Sequence, residues 1–89
     1  MWTPVYTNRF EKDLKRMIKS GHSAEKIKAI IRDLIDGKDL SPKHRDHALI
    51  GNFKDRRECH VTPDWLLIYR IDNPHIIFER TGTHADLFR

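Results

Sequence analysis

Cysteine is nearly absent: Cys59 is the one thiol in 89 residues. A lone thiol excludes an internal disulfide, and so small a chain without a staple is expected in a reducing compartment, here the cytoplasm. Long apolar runs are absent too. No stretch approaches the roughly 18 residues that a membrane span requires, so no membrane partner is expected. Residues 1–6 carry neither a basic n-region nor an apolar h-region, and no secretory leader is expected. Repeats, low-complexity tracts and linkers are missing. The length suits one domain and falls short of two, so a single domain over 1–89 is expected. With 38% hydrophobic and 34% charged residues, the composition argues against disorder.

What the chain does have is basic charge and imidazole. Lys and Arg number 17 against 13 Asp and Glu, for a net charge of +4. That balance weakly suggests a polyanionic partner. The excess lies in residues 9–28 and 37–60. Six histidines are present, and imidazole is the side chain that moves protons near neutral pH.

Residues 3–6 read as a short opening strand. Asn8, with Glu11 three residues later, reads as the cap of a first helix whose apolar face is Phe10, Leu14, Met17 and Ile18. Gly21 ends it. Ser23 is placed to cap a second helix with a single stripe of Ile27, Ile30, Ile31, Leu34 and Ile35, closed by Gly37. Residues 38–52 read as a long polar loop, anchored by Ala48-Leu49-Ile50; loops of that length are often functional. Three strands follow. In residues 53–61, Arg57, Cys59 and Val61 alternate with Arg56, Glu58 and His60. Residues 65–71 are apolar on both sides as far as Tyr69, as in a central strand, and residues 75–81 form the last. Helices followed by strands imply an α+β layer, with a helical hairpin on one face of a mainly antiparallel sheet. The first strand must join that sheet non-locally.

His47 in the loop, His60 and Asp64 around the turn at Pro63, and His84 after the last strand are placed to converge at one sheet edge, beside Arg57 and Arg80. Imidazoles with guanidinium suit acid–base chemistry on an anion. Phosphodiester cleavage in RNA needs that set: one group deprotonates the 2′-hydroxyl and another protonates the departing 5′-oxygen. No metal or cofactor is required in principle. The same residues are chemically capable of binding zinc, although no compact H-x-x-x-H or C-x-x-C pair exists. Cys59 beside a histidine would be a nucleophilic pair, but its alternation places it opposite His60, toward the core. Trp65 and Phe88 are candidates for stacking on bases, set against a packing role that is strong for Trp65. His22, His44 and His75 are expected to be ordinary surface residues.

The stretch from Glu58-Cys59-His60-Val61-Thr62-Pro63-Asp64-Trp65 to Tyr69, followed by Phe78-Glu79-Arg80-Thr81-Gly82-Thr83-His84, resembles the YafQ branch of the RelE/ParE toxin superfamily. Asp46-His47-Ala48-Leu49-Ile50-Gly51 with Lys54 and Arg57 is similar as well. The resemblance covers nearly the whole chain. It implies a RelE-like β-α-α-β-β-β fold and a toxin of a type II toxin–antitoxin pair. It implies a ribosome-dependent endoribonuclease that cuts mRNA in the decoding site of the 70S ribosome and is held silent by a cognate antitoxin. Its functional set falls on His47, His60, Asp64, His84 and Phe88. Arg80, Arg57, Lys54 and Trp65 are the expected RNA contacts. Glu58 stands where close relatives tend to have Asp. The ParE side of the superfamily offers the alternative of a non-catalytic toxin that blocks a topoisomerase.

Overall fold

A computed structural model describes residues 1–88. The extended segment β1 (Thr3–Tyr6) leads directly into α1 (Asn8–Lys19). Asn8 is not the cap; Thr7 is. It is the last extended residue before the helix, and its hydroxyl accepts from the Phe10 amide at 3.0 Å while donating to the Glu79 carbonyl at 2.9 Å. One hydroxyl therefore starts the helix and ties it to the sheet. Gly21 takes φ +97° and turns the chain into α2 (Ala24–Ile35). Ser23 occupies the cap position there without a side-chain capping bond.

The three long strands are β3 (Arg57–Thr62), β4 (Trp65–Asp72) and β5 (His75–Gly82), with a two-residue strand, β2 (His47–Ala48), before them. The spatial order is β1-β5-β4-β3-β2. β1 pairs in parallel with β5, from Thr3 opposite His75 to Tyr6 opposite Phe78, and every other pairing is antiparallel. β4 is thus central, as its apolar run implies. The expected α+β layer is present. Phe10 and Met17 of α1 and Ile27, Ile30, Ile31 and Leu34 of α2 form one core with Cys59, Val61, Trp65, Leu67, Tyr69, Ile76 and Phe78. Burial of these side chains is the main term holding the layers together. Ile18, read as part of the α1 stripe, is 42% exposed.

Residues 38–52 are more structured than a loop. A 3₁₀ turn (Pro42–His44) precedes β2, and another (Gly51–Phe53) follows it. Ile50 is 87% exposed and anchors nothing. The segment is held instead by backbone pairing, His47 opposite Glu58 and Ala48 opposite Arg57. A last helix, α3 (His84–Leu87), has no counterpart in the expected element order. Thr83 and Asp86 form a reciprocal capping box: the Thr83 hydroxyl accepts from the Asp86 amide at 3.2 Å and the Asp86 carboxylate from the Thr83 amide at 3.0 Å. Among the described residues, no helix is long and apolar enough to cross a membrane.

Cys59 is fully buried, and burial pushes its thiol well above the usual range. The thiolate is the reactive form. Native protein is therefore expected to react with a maleimide at least about 100-fold more slowly than urea-unfolded protein, and comparable rates would contradict the buried placement. Because only the unfolded thiol ionises near its ordinary value of about 8.5, the contribution of Cys59 to stability is full below that pH and declines above it.

Candidate active site

Strand alternation builds the centre of the site. Cys59 and Val61 point to the helices, so Glu58 and His60 share the opposite face of β3. The β2–β3 pairing then sets His47 directly across from Glu58. The Glu58 side chain is only 6% exposed, and its Oε1 lies 3.7 Å from His47 Nε2 and 3.5 Å from His60 Nε2. One buried carboxylate bridges two imidazoles.

The other ring nitrogens define the tautomers. His47 Nδ1 is 2.6 Å from the Arg45 carbonyl, and His60 Nδ1 is 3.2 Å from the Pro63 carbonyl. A carbonyl only accepts, so each Nδ1 carries the proton and donates it. Each Nε2 is then the atom that gains or releases a proton, and both face the same Glu58 oxygen. Arg45 adopts φ +46°, a left-handed conformation that costs a non-glycine residue energy; it aims this carbonyl at His47.

α3 supplies the second half. His84 is its first residue, with Nδ1 3.8 Å from Asp64 Oδ1. The His84 ring centroid lies 6.1 Å from that of His60 and 5.9 Å from that of Phe88. Phe88 packs edge-on against Phe53 at 5.1 Å. His47, His60, Asp64, His84 and Phe88 therefore form one patch, with the neighbouring His60 and His84 rings as the link between its halves. His84 and Asp64 face solvent, whereas His60 is recessed, its side chain 12% exposed. The patch is an open surface that a polymer can lie across.

The expected RNA contacts separate. Trp65 is fully buried and donates its indole N–H to Thr81 Oγ1 at 2.8 Å, so it packs the core; the ring against it is His22, edge-on at 5.1 Å, which is therefore not the ordinary surface residue expected. Arg57 lies on the helix side of β3, by the same alternation that buries Cys59. Its Nε donates to Asp46 Oδ1 at 3.2 Å, and Tyr69 donates to the same oxygen at 2.7 Å. Partial burial opposes the Arg57 charge, but the Tyr69 hydrogen bond and Asp46 outweigh it and hold the guanidinium pKa above its ordinary value. Burial, with the bond to Asp46, pushes the Tyr69 phenol up as well. Arg57 is thus held by Asp46 on the face of β3 opposite Glu58 and His60. With Tyr69 it pins Asp46 on one face while the next residue, His47, projects to the other. Arg80 binds Asp13 of α1 through Nε at 2.7 Å and Nη2 at 3.3 Å, which occupies much of its fork. Lys54 is exposed, just past the second 3₁₀ turn.

Glu58 was legible as a face-mate of His60, but the sequence marked it only as standing where close relatives tend to have Asp. His44 is not an ordinary surface residue: its Nδ1 donates to the His60 carbonyl at 2.7 Å. Phe53, the ring behind Phe88, had no motif around it. Among the described residues, no group of three or more His, Cys, Asp or Glu is arranged to hold a metal ion.

Residues 2–89 match the family described as "Bacterial toxin of type II toxin-antitoxin system, YafQ". The chain belongs to this family. The chain is 40% identical over 84 residues to the mRNA interferase toxin YafQ of Escherichia coli K12, covering 93% of this chain and 91% of the relative. It superposes on YafQ in the crystal structure of the E. coli DinJ-YafQ complex with a TM-score of 0.93, at 38% identity over 100% of both chains. A metal-bound toxin from Helicobacter pylori is also similar, with a TM-score of 0.92 and 38% identity over 99% of this chain and 100% of the other. The resemblance in the His60–Tyr69 and Phe78–His84 blocks thus extends through the fold, and the chain is a YafQ-type toxin of a type II system.

Proposed function

We propose that the chain is a ribosome-dependent mRNA endoribonuclease that works by metal-independent acid–base catalysis. The Glu58-bridged pair of His47 and His60, with the His84 ring 6.1 Å from that of His60 and Asp64 beside it, carries this reading. One imidazole takes the proton of the 2′-hydroxyl as that oxygen attacks phosphorus. Another gives a proton to the 5′-oxygen as the P–O bond breaks, leaving a 2′,3′-cyclic phosphate and a 5′-hydroxyl. His84 and His47, the more exposed rings, exchange these protons with RNA. Glu58, His60 and Asp64 orient them and hold positive charge beside the phosphate. Phe88, backed by Phe53, stacks on a base. The toxin acts in the cytoplasm, and a cognate antitoxin with an acidic or amphipathic segment silences it, charge complementarity favouring the complex. The antitoxin partner in the E. coli DinJ-YafQ complex supports that part.

The test is induction in cells with mapping of mRNA 5′ ends. Codon-phased cuts that vanish in His84→Ala support the proposal. Growth arrest with intact mRNA, or toxicity that survives His47→Ala/His84→Ala, favours the non-catalytic alternative. Single-turnover cleavage by toxin pre-treated with a chelator is expected to stay complete and to depend on pH between roughly 5 and 8. A flat profile would mean that imidazole proton transfer does not limit the rate.

A further inference from the structure

Next to His60, on the α2 side, lies a cleft of about 520 Å³ that the proposed chemistry does not use. Clefts that hold small ligands run from roughly 300 to 1,000 Å³. Its apolar floor is Ile30 and Val61, both buried, with the exposed Ala29 beside them, and the rest of its lining includes the basic Lys26, Lys43 and His44. No carboxylate lines it among the described residues. His60 and Pro63 form the wall shared with the candidate active site, and the Pro63 carbonyl is the group that orients the His60 ring. The cleft and the site are therefore adjacent, meeting at His60 and Pro63.

His44 connects them. Its Nδ1 proton goes to the His60 carbonyl at 2.7 Å, which clamps the Pro42–His44 turn onto β3. With Nδ1 committed, Nε2 is the ring nitrogen left for a ligand, in a cleft that two exposed lysines also line. Cations around an apolar floor match a nucleotide, whose phosphate needs donors and positive charge and whose ribose and base need apolar surface.

We propose that this cleft is a nucleotide subsite for the message, taking the residue next to the scissile phosphate, with its phosphate on Lys26, Lys43 and His44. This rests on the endoribonuclease reading. The subsite fixes the RNA on one side of His60 while Phe88 holds it on the other, so the strand crosses the imidazoles in one register.

The experiment is an NMR titration of the intact toxin with a single-stranded RNA hexanucleotide, 2′-O-methylated at every residue so that it cannot be cut, taken to millimolar concentration. Inorganic phosphate and an acidic amphipathic peptide serve as separate probes. RNA is expected to shift the Lys26, Ala29 and His44 signals together with those of His60 and His84. Lys26→Ala/Lys43→Ala is expected to weaken RNA binding about 10-fold and to flatten its salt dependence by about one phosphate contact, since each contact adds ~0.7 to the slope for a single strand. Both lysines are exposed, so the variant keeps its fold, checked by circular dichroism. Shifts at His60 and His84 without Ala29 and His44 overturn the subsite and leave the endoribonuclease reading standing. No shift at either overturns the subsite, while the ribosome-dependent endoribonuclease reading stands or falls on the mapping of mRNA 5′ ends. Equal shifts with inorganic phosphate reduce the cleft to an unspecific anion site, and shifts with the peptide alone make it a protein-docking surface; either result overturns the proposal.

Discussion

Alanine at His84 is expected to lower single-turnover cleavage of ribosome-bound mRNA by about 10²–10⁴-fold, the usual contribution of a positioned acid or base, with the melting temperature unchanged. The two halves of this prediction have separate physical grounds. His84 lies at the start of α3 with its side chain 58% exposed, so removing the ring leaves no cavity. The helix is started by Thr83 and Asp86, which do not involve the imidazole. Exposed substitutions of this kind usually stay within about 0.5 kcal/mol. The catalytic half follows from its position beside Asp64, His60 and Phe88 in the one patch where two further imidazoles meet a carboxylate. His47→Ala is expected to cost a similar factor, and the double variant much less than the product, because acid and base act on one transition state. Glu58→Gln keeps the shape of the bridge but removes its charge. It is expected to slow cleavage about 10-fold and to change the pH profile, which a merely structural role would leave in place. Full cleavage by His84→Ala would remove His84 from the chemistry.

The sequence made the layer order readable because its signals were local. The α2 stripe repeats at helical spacing over a full 12-residue helix, and β4 is apolar on both faces because both are covered. The candidate site was legible for a related reason: strand alternation places Glu58 and His60 together, and turns bring strand ends to one edge. What could not be read depends on partners distant in sequence. The start of α1 turned on Thr7, whose hydroxyl also bonds Glu79 in β5. Arg57 carries the charge of an RNA contact, but its partner is Asp46, fixed from the other side by Tyr69. α3 was overlooked although Thr83 and Asp86 have the spacing of a capping box, because a four-residue helix offers no periodicity. His44 looked ordinary because its partner is a backbone carbonyl.

Asp13→Ala is expected to cost about 2–4 kcal/mol of stability, more than any other charged residue on α1. Asp13 is 4% exposed, although its place on a helix rich in Lys and Arg suggests a solvated charge. Its carboxylate accepts from Arg80 Nε at 2.7 Å and Nη2 at 3.3 Å, from the Thr81 amide at 3.2 Å, and from Arg16 Nη1 at 3.2 Å. Alanine strands these donors. Removing one partner of a fully buried ion pair costs about 3–5 kcal/mol. Here the Arg16 and Arg80 side chains are 47% and 22% exposed, so water recovers part of their loss. The Thr81 amide has no such recourse: its residue is fully buried, and an unpaired buried donor costs about 1–3 kcal/mol. Against a total near 0.05–0.15 kcal/mol per residue, such a loss is a large share of what holds the chain folded. Urea titration should show a lower midpoint with an unchanged slope, and a loss below about 1 kcal/mol would contradict the argument. The effect also reaches the site. Arg16 Nη2 lies 3.5 Å from Asp86 Oδ2, so the chain of charge from Asp13 through Arg16 ends on the helix that carries His84. Asp13→Asn, which keeps two acceptor lone pairs for Thr81 but loses the charge for both arginines, is expected to fall between wild type and alanine. That ordering separates the hydrogen bonds from the ion pairs.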